Sequence, residues 1–218
     1  GAGKTAVLNR MAAEARGREH GVLRMEAFSY AAQTPLFALA EITRAWLENA
    51  GIGIGREQAL TQTLERVDMS EWAPLLAGWA GLTIEENAST RALEWEGRLF
   101  KTVEVLAALL LQTAHEHPLV LICDAVHHLD AASRRALPLL LRRLRHTPVT
   151  VYLAGREAMA AEWPPDAQFH PIGNLEPGAC EKLVKQRLGV QRIPDELRQL
   201  LVEKTSGNPG FMLRILDT

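Results

Sequence analysis

The stretch that decides the fold is Leu119-Val-Leu-Ile-Cys-Asp124, five apolar residues closed by a single acid. The run is too short for a helix of ordinary length, and Pro118 stands directly before it. A continuous rather than alternating apolar run is what a strand covered on both faces of a parallel sheet looks like. Its acid falls at the C-terminal end, the edge of a parallel sheet at which ligand crevices form.

Working outward, the same pattern recurs on either side. Val22-Leu-Arg-Met-Glu26 reads as a short earlier strand, Val149-Thr-Val-Tyr-Leu153 as the next, and Phe169-His-Pro-Ile172 as a weak last one. Helical spacing fills the intervals. A first helix covers 5–20, with Val7, Leu8, Met11, Ala12 and Ala15 able to share a face. Pro35 is expected to open a second through Leu36, Leu39, Ile42 and Trp46. Gly51-Ile-Gly-Ile-Gly55 is a flexible break, helices follow near 56–67 and 71–80, and a polar loop lies near 85–90. A long amphipathic helix is expected over 91–115 and another over 131–146, the latter kinked or broken by Pro138 near Ala136 and Leu137. After Glu176 only helices are expected, at about 177–189, 195–206 and 209–217, with Pro177 and Pro209 in first-turn positions. Strands alternating with helices and then a helical tail imply a mostly parallel α/β sheet with flanking helices and a small helical lid. The expected division is 1–173 for the α/β domain, which the Gly1-Ala-Gly-Lys-Thr5 motif makes a P-loop nucleotide-binding domain lacking its first strand, and 174–218 for the start of the lid.

The chemistry begins at residue 1. Gly1-Ala-Gly-Lys-Thr5 is the second half of the phosphate-loop pattern G-x-x-x-x-G-K-[ST] and runs straight into the first helix. In such a loop the backbone N–H groups of Gly1, Ala2 and Gly3 and the helix N-terminus cradle phosphate. Lys4 reaches the β and γ phosphates and the Thr5 hydroxyl ligates Mg²⁺. Phosphoryl transfer also needs a metal-binding acid at a strand end, and Asp124 stands where that acid belongs. The plainer reading of each is a glycine-rich coil and a strand-end turn residue. A strand normally precedes a phosphate loop, so the chain reads as an interior piece of something larger.

Four further stretches carry a resemblance. Cys123-Asp-Ala-Val-His-His-Leu-Asp-Ala-Ala-Ser133 resembles the D-[DE]-x-H-W-x-D-x-x-S signature of the STAND signal-transduction ATPases, relatives of AAA+ and Orc-type ATPases. Val149-Thr-Val-Tyr-Leu-Ala-Gly-Arg156 resembles their sensor strand, Asn174-Leu-Glu-Pro-Gly-Ala-Cys-Glu181 the start of their lid, and Ser206-Gly-Asn-Pro-Gly-Phe211 their G-N-P-x-[FY] motif. The segment from Val22 to Glu41 is similar to ATPase regions attached to bacterial class III adenylate or guanylate cyclases and to large LuxR-type regulators. The resemblance implies ATP or ADP with Mg²⁺ as ligands, Arg156 as a γ-phosphate sensor, Pro209 against the adenine and Asn208 shaping the turn. Two plainer readings stand beside these: Arg156 as a solvated loop residue, and Pro209 as a helix-starting proline.

The sequence departs from that signature at two positions. Ala125 stands where the family carries an acid to polarise the attacking water, and loss of a positioned base costs about 10²–10⁴ in rate. His128 replaces the usual tryptophan. His127 matches the family histidine and is the candidate substitute base, since a neutral imidazole accepts a proton. Asp130 reads as the N-cap of the following helix, with Ser133 in its first turn. The expected function is an ATP-binding regulatory switch of a multidomain bacterial signalling protein, with slow or absent hydrolysis. The rivals are an ATPase with a remodelled base and a scaffold that binds no nucleotide.

Other features bound the partners. With 24 basic and 26 acidic side chains the net charge is −2, which gives no support for direct nucleic-acid or anionic-membrane binding. Cys123 and Cys180 lie far apart in apolar or helical surroundings, as reduced thiols of a cytoplasmic protein do. His115, His117, His127 and His128 make no convincing ligand set. Arg142, Arg143 and Arg145 read as a solvated helix end, with a contact to a neighbouring subunit as the alternative. Trp46, Trp72, Trp79 and Trp95 read as core or interhelical packing. An attached effector domain and a homo-oligomer are the expected partners besides nucleotide.

Overall fold

The computed structural model describes residues 3–156 and 163–217. Contact density divides the chain into two compact units, Gly1–Asn9 with Gln168–Thr218, and Arg10–Ala167. The larger unit carries the sheet: β1 (Gly21–Glu26), β2 (Leu119–Asp124) and β3 (Val149–Leu153), all parallel, in the order β1-β2-β3. In register, Leu23 lies beside Leu121 and Val151, and Glu26 beside Asp124. Every residue of β2 is buried, which is why its sequence is an unbroken apolar run up to the acid.

Around the sheet lie α2 (Phe37–Ala50), α3 (Arg56–Glu65), α4 (Ala73–Ala80), the single turn α5 (Ala88–Arg91), α6 (Trp95–Glu116) and α7 (Ala131–Arg143). Leu39, Ile42 and Trp46 of α2, Leu99, Val103, Leu106 and Leu110 of α6, and Leu137 and Leu140 of α7 share one core with Leu23, Met25, Leu121 and Cys123. The α1 helix (Lys4–Gly17) starts in the smaller unit and ends in the larger, burying Leu8, Ala12 and Ala15; Val7, expected on that face, is exposed. The smaller unit otherwise consists of α8 (Pro177–Leu188), α9 (Asp195–Thr205) and α10 (Pro209–Leu216), closed around Cys180, Val184, Leu201 and Met212. Among the described residues no helix is long and apolar enough to cross a membrane.

The α/β reading holds, and several expectations are corrected. The 169–172 segment forms no strand; Phe169 is exposed, so no burial favours pairing there. Pro35 does not open α2: a 3-10 turn at Ser29–Ala31 intervenes, and Leu36 is the left-handed N-cap residue before Phe37. The long helix starts at Trp95, because Asn87 and Thr90 close a reciprocal cap on α5 inside the expected polar loop. Pro138 does not interrupt α7, which is held in the core on both sides of the proline by Ala136, Leu137, Leu140 and Leu141. Trp95 is 48% exposed rather than packed, whereas Trp46 is buried with its indole N–H donating to Thr113 Oγ1 at 2.7 Å. Of the arginine group, Arg145 lies past the end of α7 and pairs with Asp166 at 2.9 Å.

Candidate nucleotide-binding site

In the larger unit the C-terminal edge of the sheet gathers Asp124, Ala125, His127 and Arg156. Asp124 ends β2 and is only 4% exposed. One carboxylate oxygen accepts the Ala125 N–H at 2.8 Å, and the other faces the Arg24 guanidinium at 3.6 Å. The main chain is held from both sides as well: the Asp124 carbonyl accepts the Ala27 N–H at 3.0 Å, and the Cys123 carbonyl accepts that of Ala154 at 2.9 Å. A carboxylate this firmly placed at a strand end is what a metal-binding acid requires.

Directly after Asp124 the chain reverses. Ala125 is left-handed, with φ 55°, and leads into a 3-10 turn at Val126–His128. A positive φ on a residue with a side chain is strained, and such strain concentrates at functional sites. The turn is tied to the end of β3, where the Val126 N–H donates to the Ala154 carbonyl at 2.9 Å. Gly155 is required there, since a Cβ would come within 2.8 Å of Val126 Cγ2. Arg156, the residue after Gly155, is exposed. His127 and His128 are half-buried with their rings 4.0 Å apart.

Asp130 has a larger role than its sequence suggests. It caps α7 by accepting the Ser133 N–H at 2.9 Å, as expected. The same carboxylate also accepts the Leu36 and Phe37 N–H groups at 3.0 and 3.2 Å, and Ser133 Oγ accepts that of Ala38 at 3.1 Å. The D-x-x-S pair therefore caps two helices at once, α7 locally and α2 from across the fold.

The smaller unit holds the other candidates. Gly1 and Ala2 lie outside the described residues. Gly3 has φ +92°, a conformation suited to glycine, and α1 starts at Lys4 immediately after it. First-turn N–H groups have no acceptor within their own helix, which makes such a start an anion-binding element. A Cβ on Gly3 would lie 3.6 Å from Pro209 Cγ, so the phosphate-loop glycine and the G-N-P motif are neighbours. Asn208 caps α10 by accepting the Phe211 N–H at 3.1 Å, and Pro209 takes its first turn. Gly207, with φ +75°, donates no space to a side chain: its carbonyl accepts the Leu175 N–H at 2.8 Å, and a Cβ would run into the Leu175 carbonyl. Thr205, Asn208, Gly210, Phe211 and Arg214 line an open, mostly polar hollow beside this turn.

Mg²⁺ is a hard cation that keeps most of its waters and takes one or two carboxylates from protein. Asp124 of the larger unit offers a carboxylate and Thr5 of the smaller unit a hydroxyl, each a hard oxygen donor of the kind Mg²⁺ accepts. Among the described residues no group of three or more His, Cys, Asp or Glu side chains is placed to hold a metal. The Cys123 thiol is fully buried and pushed up to about 12 by desolvation. Burial also raises Cys180, whose sulfur lies 3.5 Å from the Leu175 carbonyl. Burial of this kind makes both thiols poor nucleophiles.

Arg24 is the site residue that the sequence reading missed. Its signal was visible as a lone cation inside the otherwise apolar strand Val22-Leu-Arg-Met. Comparison with curated proteins and with solved structures found no match. The family model described as AAA ATPase domain matches residues 1–152, well over half of the chain. With its parallel sheet and strand-end acid, the chain thus belongs to the AAA ATPase domain family and is a nucleotide-binding, ATPase-like module.

Proposed function

We propose that the chain is the ATP-binding regulatory switch module, of STAND type, of a cytoplasmic multidomain bacterial signalling protein, and that it hydrolyses ATP slowly or not at all. The observation that carries this reading is the Asp124–Ala125 pair, a buried strand-end acid that accepts the next residue's N–H and is followed by a methyl group; on this reading the attacking water would find no proton acceptor at position 125. Lys4 and the backbone at Gly1, Ala2 and Gly3 would hold the phosphates. Thr5 and Asp124 would hold Mg²⁺, which when bound neutralises charge on the phosphoryl oxygens. Arg156 would meet the γ-phosphate, its planar fork suiting phosphate oxygens. Asn208 and Pro209 would border the base, in the helical lid that begins near 174.

None of these binding roles needs an acid at position 125, so binding survives its loss while the proton-transfer contribution does not. His127, packed against the His128 ring, is the candidate substitute base for any residual turnover. Nucleotide then acts as a ligand that shifts a conformational equilibrium by its differential affinity for two states. An attached effector domain, or a second copy of the chain, reads that equilibrium, and the reset comes from nucleotide exchange. Equilibrium titration with a fluorescent ATP analogue and Mg²⁺ tests the reading. Saturable binding that Lys4→Ala abolishes is expected. Equal binding by the two proteins, or none by either, contradicts it.

A further inference from the structure

Arg24 sits in the interior of β1, where a parallel strand ordinarily carries apolar residues on both faces. Leu23 and Met25, its neighbours, are 2% and 1% exposed and belong to the main core. Arg24 lies on the opposite face, in register with Ile122 of β2, and reaches two residues along that strand to Asp124 Oδ2 at 3.6 Å. Its side chain is about one-third exposed (34%) while that of Asp124 is almost covered (6%), so the pair is shielded from water on the acid's side only.

Such a cation has two consequences. A nearly buried carboxylate is costly to leave unpaired, so the guanidinium stabilises it. The same positive charge lies where a second cation on that carboxylate would be repelled, and partial burial keeps solvent from screening the repulsion away. Arginine has a long stem and several rotamers, so its head can take more than one position.

We propose that Arg24 is a built-in counter-ion for Asp124 that competes with Mg²⁺: it holds the acid in the metal-free protein and releases it when metal and nucleotide are bound. This rests on Asp124 being the metal-binding acid. Arg24 is a positioning residue in this scheme. It sets the Mg²⁺ concentration at which the module loads and marks the unloaded state by a contact that the loaded state lacks.

The test is a Mg²⁺ titration of fluorescent-ATP binding by the wild type, Arg24→Gln, Arg24→Met, Arg24→Lys and Asp124→Asn. The two neutral variants should need less Mg²⁺ for half-saturation, by at least about threefold, because the competing charge is gone. The Met variant keeps the apolar stem and covers the case in which the Gln variant folds poorly. Arg24→Lys keeps the charge and should stay within about twofold of the wild type. Asp124→Asn should need at least about tenfold more metal. Thermal unfolding without metal or nucleotide supplies a second readout. Arg24→Met and Asp124→Asn should each destabilise, and the double variant should lose clearly less than their sum. If Asp124→Asn titrates like the wild type, the metal-binding role of Asp124 fails and Arg24 falls with it. If Asp124→Asn is impaired but the neutral Arg24 variants keep the wild-type Mg²⁺ dependence, only the competition is overturned. Additive stability losses overturn the ion pair itself.

Discussion

Asp130 accepts three backbone N–H groups that belong to two different helices. Removing the carboxylate leaves buried donors without acceptors, each costing about 1–3 kcal/mol. Asp130→Ala should therefore destabilise by about 2–4 kcal/mol in urea unfolding, well beyond the ~1 kcal/mol typical of a single cap. Asp130→Asn keeps the oxygen that serves Leu36 and Ser133 and loses the acceptor for Phe37, so its cost should fall between wild type and alanine. A result in which Asn and Ala are equally damaging would show that charge, not acceptor geometry, holds the junction. At position 125 the expectation concerns rate: under the proposed reading Ala125→Glu supplies a carboxylate to polarise the attacking water and should raise single-turnover hydrolysis by up to about 10²-fold.

At the scale of elements, packing decides against local rules in α7. Proline inside a helix loses one hydrogen bond and crowds the preceding turn, at about 3 kcal/mol. The helix continues through Pro138 because buried side chains anchor both halves. Pro138→Ala should stabilise the protein by about 1–3 kcal/mol, visible as a higher unfolding midpoint. The same contrast explains what the sequence made legible. The run Leu119–Asp124 announced a buried strand and its terminal acid because burial on both faces leaves a compositional trace. The start of α2 did not show, because its cap is Asp130, some 94 residues away in the chain. Sequence-local signals pointed to Pro35 instead. Phe169 to Ile172 had strand-like residues without the burial that makes such residues pair. The α5 turn was hidden because Asn87 and Thr90 form a cap box with a threonine where the usual pattern has Glu or Gln. Asp124 and Gly3-Lys4-Thr5 were singled out by residue type and spacing, and they lie at a strand end and a helix start. Arg24 was not assigned, since its meaning depends on which acid the neighbouring strand brings beside it.

At the scale of the whole molecule, burial of Cys123 links stability to alkaline pH. The thiol is raised from 9.0 to about 12 in the folded chain, so the folded state resists the thiolate that the unfolded state forms readily. The stabilisation is intact below pH 9 and is lost as pH rises from there toward 12. Cys123→Ala should flatten that loss while lowering stability at neutral pH through the cavity it leaves. Folded protein at pH 8 should also resist thiol alkylation at Cys123 until denaturant is added. Nucleotide should act on the whole fold too: if binding is confined to the native state, ligand at about 100 times its Kd adds roughly 2.7 kcal/mol. The central claim, a site that binds ATP and barely turns it over, is tested most directly by single-turnover hydrolysis with Mg²⁺ and protein in excess over ATP. The account predicts that bound ATP persists far longer than in working enzymes, whose turnover is typically about 10 per second. A rate in that ordinary range, abolished by Lys4→Ala, would contradict it.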